Sequence, residues 1–206
     1  MDSGGPKVEF YAATTVRPAD PLPRSTANAV RIIGGQCRGR IVRFPAAAQL
    51  RPTPDRVRET LFNWLGQDLA GQHVLEVYAG SAVLSLESLS RGAASATAVE
   101  RDPKLVAAMA DNARLLGLAA GFTALRADAR GAVERAARRY DVVFCDPPYA
   151  DDPWDWLLPA CARALTPEGA VYAEAARPLA PPPGLVLARS GRAGQVVYHL
   201  FRPAPA

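Results

Sequence analysis

Asp146-Pro147-Pro148-Tyr149 follows the apolar run Val142-Val143-Phe144-Cys145, which reads as a buried strand. The order sets a carboxylate, a stiff turn and a flat ring at the carboxyl end of a strand, the edge of an open α/β sheet where ligands bind. These groups suit a planar substrate that carries an exocyclic NH2. Such a nitrogen is a poor nucleophile while its lone pair is delocalised into the ring. It becomes more tetrahedral, and more reactive, when oxygens accept its N–H bonds. Asp146 supplies one oxygen. A peptide carbonyl of the Pro-Pro turn can supply a second, because proline fixes its own φ and restricts the residue before it. Tyr149 offers a stacking surface, worth about 1–3 kcal/mol per base. A plain turn after a core strand is the simpler use of the same residues, since Pro-Pro pairs often mark turns.

Other acids fall at comparable places. The run ending Glu76-Val77 leads into Tyr78-Ala79-Gly80-Ser81-Ala82, a glycine-bearing turn that opens a helix and lets a ligand approach the backbone. Glu100, followed by Arg101, lies 20 residues beyond Gly80, the spacing of a carboxylate that binds ribose hydroxyls. Asp128 and Ala129 follow a third strand, where the acid or a neighbouring amide could meet an adenine. With Asp146, these acids at four strand ends define a cleft for a ligand containing a nucleoside.

The elements that must position them are legible as alternating periods. Strand candidates are 73–78, 96–100, 122–126, 141–145, 169–174, 185–189 and 195–201, with helical stretches such as 103–116, 128–139 and 153–165 between them. That alternation predicts a mostly parallel seven-stranded sheet covered on both faces. Only Ser190-Gly191-Arg192-Ala193-Gly194 joins the last two strands, too short for a crossover, so they should pair antiparallel. Upstream, 29–45 reads as a hairpin. Thr53 is a natural N-cap with Pro54 at the first helical position, and Val57, Leu61, Trp64 and Leu65 share one helical face. Residues 1–28, rich in Pro, Ala, Thr and Ser, read as a disordered tail. The expected division is therefore a tail over 1–28, a basic hairpin and helix over 29–68, and an α/β domain over 69–206.

Charge narrows the partner. Residues 31–60 hold seven arginines against Asp55 and Glu59, a net of +5 when the whole chain carries +4. Arginine pairs with phosphate in bidentate fashion and stacks on bases, so the block is an electrostatic footprint for nucleic acid. A solvated charged face would look similar. No run is apolar enough to span a membrane, and the first residues lack the basic and apolar regions of a secretory signal. Cys37, Cys145 and Cys161 are odd in number without metal-ligand spacing, which argues against a disulfide framework or a metal site. His73 and His199 stand alone beside strands and read as structural.

These residues together resemble a class I S-adenosylmethionine-dependent methyltransferase, and more narrowly the RsmD family, bacterial enzymes that methylate guanine N2 in 16S ribosomal RNA. The resemblance covers about 30–202. It rests on Arg31-Ile32-Ile33-Gly34-Gly35, Arg51-Pro52-Thr53, Asp55-Arg56-Val57-Arg58-Glu59-Thr60-Leu61-Phe62-Asn63, Ala79-Gly80-Ser81, Glu87, Ser90-Arg91-Gly92-Ala93, Glu100, Asn112, Asp146-Pro147-Pro148-Tyr149 and Gly191-Arg192-Ala193-Gly194-Gln195-Val196. The family turn reads Asp-x-Phe-Ala-Gly-Ser-Gly-Ala-Leu-Gly-Leu-Glu. Here Glu76, Tyr78, Ala82 and Ser85 replace Asp, Phe and two glycines, and Cys37 stands where tryptophan is common. Ala82 sets a Cβ where the backbone should lie against the methionine part of the cofactor. If φ is positive there, it adds strain of about 1–2 kcal/mol.

The resemblance implies a Rossmann-like sheet with helices on both faces and the N-terminal extension. It implies methyl transfer from S-adenosyl-L-methionine to a guanosine N2 amine. Asp146, Pro147 and Tyr149 would act on the amine and base. Glu76, Tyr78, Ala79, Gly80, Ser81, Glu100, Arg101, Asp128, Ala129 and Asp146 would hold the cofactor. Arg31, Arg38, Arg40, Arg51, Thr53, Arg56 and Arg58 would face the RNA. The expected partner is ribosomal RNA in a small-subunit particle or its precursor, met by a cytoplasmic monomer without membrane or metal. Two alternatives stay open: transfer to another amine, in DNA adenine or protein glutamine, or an RNA-binding scaffold weakened in catalysis.

Overall fold

A computed structural model describes residues 9–11, 27–45, 53–136 and 139–205. The hairpin pairs β2 (Ala27–Arg31) with β3 (Ile41–Pro45), and α1 (Asp55–Leu65) follows. Then come β4 (His73–Val77), α2 (Val83–Ser90), β5 (Ser95–Glu100), α3 (Pro103–Leu115), β6 (Phe122–Arg126), α4 (Ala129–Glu134), β7 (Tyr140–Cys145), α5 (Trp154–Ala164), β8 (Leu165–Ala175), β9 (Leu185–Ala193) and β10 (Val196–Pro203). The seven expected strands are β4 to β10. An eighth, β1 (Glu9–Tyr11), pairs antiparallel with the edge of β6. Five residues of the expected disordered tail are therefore in strands: 9–11, because β6 offers them an unpaired edge, and Ala27 and Asn28, which begin β2. The rest of 1–26 lies outside the described residues.

The sheet order is β1-β6-β5-β4-β7-β8-β10-β9. Strands β4 to β8 run parallel, and β10 pairs antiparallel with both β8 and β9, as the short connection requires. The chain leaves β4 toward β5 and returns on the other side as β7. Between β4 and β7 lies the switch point, where an open sheet forms its ligand crevice. Helix α4 ends at Glu134, short of the expected 128–139; Gly131 weakens its interior.

Strand alternation divides the core between two faces. One face, with Val74, Ala96, Phe144 and Tyr172, packs against α1, α2, α3 and the hairpin. The other, with Leu75, Val77, Val143 and Ala173, packs against α4 and α5. Helix α1 buries Val57, Leu61 and Phe62, and the Phe62 ring meets Phe144 edge to face at 6.4 Å. The predicted N-cap is one residue early: Pro54 occupies it, and no side chain caps the helix.

A buried carboxylate on α2 is one of the joints that fasten the extension to the rest of the fold. Glu87 of α2 accepts from Arg58 Nη1 at 2.5 Å, from Arg91 Nη1, and from the Ile33 amide at 2.7 Å. Arg58 also donates to Asp55 at 2.5 Å and to the Thr53 carbonyl at 3.2 Å. Arg91 lies 4.1 Å from the centre of the Phe62 ring. Gly34 and Gly35 permit this approach: a Cβ on Gly34 would fall 2.2 Å from Arg91, and one on Gly35, at φ +70°, would fall 1.9 Å from the Ser90 carbonyl. Ser90 receives the Gln36 amide on its carbonyl at 2.8 Å and the Cys37 amide on its hydroxyl at 2.9 Å. Asn112 bonds both backbone groups of Arg43. Breaking a buried ion pair on one side costs about 3–5 kcal/mol, while an exposed substitution usually changes little. Arg58→Ala should therefore lower the unfolding free energy by roughly 3–5 kcal/mol. Arg56→Ala, exposed on the same helix, should stay within about 0.5 kcal/mol of the parent. Urea denaturation of both variants checks this; equally small losses would contradict it.

Candidate active site

The turn from β4 to α2 holds three left-handed residues in five: Tyr78 at φ 60°, Gly80 at 53° and Ala82 at 56°. Only Gly80 adopts that region without penalty; the others carry about 1–2 kcal/mol each. The expectation of positive φ at Ala82 is met, and Ala82 is fully buried in the core. The strain is held by hydrogen bonds from the Ala82 amide to the Ala79 carbonyl at 2.7 Å and from the Ala79 amide to Val99 at 3.0 Å.

Ala82 is also the N-cap of α2 and has no side-chain acceptor to offer. Glu76 provides one from the neighbouring strand: its Oε2 accepts the Ser85 amide at 2.8 Å. Burial pushes the Glu76 carboxyl up to about 7, against the lowering effect of the Ser85 hydrogen bonds. Folding thus disfavours its ionised form. Its contribution to stability is whole below about pH 4.5 and is lost as the pH rises through about 7. Tyr78 is half-buried, and burial raises its phenol to about 12, so it stays protonated.

Glu100 reaches across to this turn. Its carboxylate accepts the amides of Gly80 at 3.1 Å, Arg101 at 2.8 Å and Asp102 at 3.0 Å. Ser81 is buried, and the Arg101 side chain is exposed. Asp128 is exposed and caps α4 through the Gly131 amide at 3.1 Å, with Ala129 buried as the first helical residue.

Beyond β7, Pro147 is buried and Tyr149 is 49 % exposed, open enough to stack on a ring. The Pro148 carbonyl closes the turn by accepting the Asp151 amide at 2.9 Å. A cavity of 220 Å³ opens beside it, lined by Pro147, Pro148, Tyr149, Trp154 and the Asp152–Arg177 ion pair at 3.1 Å. Burial, with the negative charges of Glu174 and Glu76, pushes Asp146 well above the usual carboxylate range.

Glu174 was not foreseen. It is the penultimate residue of β8, and its Oε1 accepts Tyr172 OH at 2.8 Å and Thr53 Oγ1 at 3.0 Å. The signal was present, since the fifth strand also ends in an acid. Two residues expected to face RNA do not. Arg58 is fully buried against Glu87, and Thr53 is buried against Glu174. Both serve as joints because their polar atoms are saturated inside the fold. Arg31, Arg38, Arg40 and Arg56 are exposed; Arg40 donates to the Leu115 carbonyl at 2.9 Å, and Arg31 lies 3.8 Å from Asp55. Arg51 lies outside the described residues. No three metal-ligating side chains cluster among the described residues, and none of their helices is long and apolar enough to cross a membrane.

Residues 30–202 match the family described as conserved hypothetical protein 95. The chain is 34% identical to ribosomal RNA small subunit methyltransferase D of Escherichia coli over 86% of this chain and 92% of that protein. It is 31% identical to the Haemophilus influenzae protein of the same name, over 84% and 93%. A solved structure of "Putative methyltransferase yhhF" from Escherichia coli superposes with a TM-score of 0.76 at 35% identity, covering 85% of this chain and 98% of that one. An S-adenosylmethionine-dependent methyltransferase from Agrobacterium tumefaciens shares the fold, with a TM-score of 0.60 at 20% identity over 76% of this chain and 54% of that one.

Two outcomes follow from the turn. Ala82→Gly should raise stability by up to about 1 kcal/mol, the relief of left-handed strain less the added freedom of the unfolded chain; a lower urea midpoint would contradict this. Glu76→Gln keeps an acceptor for the α2 amide but cannot ionise. Its stability should vary less than the parent's between about pH 5 and 8, and an unchanged pH dependence would contradict the assignment.

Proposed function

The chain belongs to the conserved hypothetical protein 95 family, and we propose that it transfers a methyl group from S-adenosylmethionine to the N2 amine of a guanosine in 16S ribosomal RNA. The observation that carries this reading is the meeting of a nucleoside-type cleft with Asp146-Pro147-Pro148-Tyr149 at the switch point of the sheet. The chain's relatives are named small-subunit rRNA methyltransferases, which agrees with it.

The residues present fit the cofactor. Its ribose hydroxyls need acceptors, and Glu100 stands beside the turn at Gly80. Asp128 and Ala129 would hold its adenine end. Its cationic centre suits the carboxyl groups that the strand ends bring to the cleft, Glu76, Glu100, Asp128, Asp146 and Glu174. When bound, it supplies an electrophilic methyl group on a sulfonium.

The chain's own groups then do three things. Asp146 and the Pro147 carbonyl accept the N–H bonds of the amine and turn its lone pair toward the methyl group. The Pro147 carbonyl has no hydrogen-bond partner among the described residues, while that of Pro148 is occupied by the turn. Tyr149 stacks on the guanine. The cavity beside it, with Trp154 and Arg177, gives the flipped nucleotide room, since the base must leave its stack at a cost of a few kcal/mol. Rate enhancement is positioning and electrostatics at nitrogen.

Residues 29–68 would engage RNA through Arg31, Arg38, Arg40, Arg51 and Arg56, and 69–206 would carry out transfer, as a cytoplasmic monomer acting on a small-subunit particle or its precursor. Asp146→Ala should lower methyl incorporation into small-subunit particles about 10²-fold or more, by analogy with loss of one positioned polar group. Turnover within a few-fold of the parent would exclude that role.

A further inference from the structure

Asp146 and Glu174 stand side by side. Strands β7 and β8 are parallel, and Cys145 faces Ala173 as the last pair in register, so the next residue along the chain in each case is an acid, Asp146 just past β7 and Glu174 in β8. Neighbouring strands lie about 4.8 Å apart. Alternation sends both acids to the face of Phe144 and Tyr172, whose rings meet edge to face at 6.2 Å. Glu174 is 3 % exposed. Its hydrogen bonds come from a hydroxyl and a phenol, Thr53 and Tyr172, neither of them a cation. Among the described residues, no Lys, Arg or His forms an ion pair with either carboxylate. The other titratable groups near the pair are Glu76 from β4, Tyr172 on β8 and Tyr198 on β10.

A buried carboxylate and a half-buried one at this spacing do not both ionise without a cation, and none of the described residues supplies one. The two donors on Glu174 favour its charged form, so the shared proton rests on Asp146. A protonated Asp146 cannot take up the proton that the amine must lose. We propose that Glu174 is a positioning residue that keeps Asp146 protonated until a cationic cofactor enters, so that S-adenosylmethionine binding expels one proton to solvent and leaves Asp146 ionised opposite the target amine. The proposal rests on the reading of the cleft given above.

The charges balance through a full turnover. Empty, the pair carries one negative charge. Loaded, it carries two, against the one positive charge of the sulfonium. In transfer, the nitrogen lone pair forms the N–C bond as the S–C bond breaks, with its electrons left on sulfur. The surplus proton on nitrogen passes to Asp146. The pair again carries one negative charge beside a neutral thioether. The net charge of the buried site is the same at every stage, so no stage adds a buried charge without its partner.

Titration calorimetry of the full chain near neutral pH, in buffers of high and low ionisation enthalpy, reads the proton directly. S-adenosylmethionine should release roughly one proton on binding and S-adenosylhomocysteine, which lacks the charge, close to none. Glu174→Gln and Asp146→Asn should each abolish the release. Glu174→Gln should also carry methyl transfer to lower pH, because Asp146 then ionises unaided. Equal release with the two ligands, or release unchanged in Glu174→Gln, would overturn the proposal while leaving the cofactor reading intact. Absence of S-adenosylmethionine binding would overturn the cofactor reading and this proposal with it.

Discussion

Glu87 has no exposed side-chain surface, and a carboxylate so placed costs several kcal/mol unless its oxygens are fully bonded. Arg58 from α1, Arg91 from the C-cap of its own helix and the Ile33 amide after β2 satisfy it together. Each donor comes from a different part of the chain, so the extension cannot move from the sheet without exposing an unpaired buried charge. The glycine pair at 34–35 and the Ser90 hydrogen bonds exist to let that approach happen. Helix α1 is thereby fixed over β7, and its leading residue Thr53 reaches Glu174 beside Asp146. The basic surface and the cleft are thereby joined.

The cleft stores strain in turn. Tyr78 and Ala82 sit in a region that L-residues avoid, and Ala82 leaves α2 without a cap of its own. Glu76 supplies that cap from β4, and burial, not the cap, raises its pKa. Glu100 then ties the same turn to β5. Substitutions that look like losses from the family's glycine pattern are compensated by carboxylates already at the strand ends.

Much of this was legible in the residues. Seven strands, their antiparallel finish and the apolar face of α1 follow from periodicity, which is local. The acids at Glu76, Glu100, Asp128 and Asp146 follow from strand ends. The places where reading failed are long-range. An arginine in a basic block reads as a phosphate ligand, and nothing near Arg58 in sequence shows that Glu87, 29 residues on, will bury it. Thr53 has its partner 121 residues away. Glu174 ended a strand like the others, but its pairing with Asp146 depends on sheet order, which periodicity does not give. The strand at Glu9–Tyr11 carries no period of its own and forms because β6 has an edge to fill.

The chemistry assigned to the cleft is tested most directly by the identity of the product. Small-subunit particles lacking the modification would be incubated with the protein and S-adenosylmethionine, and their 16S rRNA digested to nucleosides for mass spectrometry. The account predicts N2-methylguanosine. A methyl group on adenosine N6, on a ribosomal protein, or nowhere in the particle would contradict it.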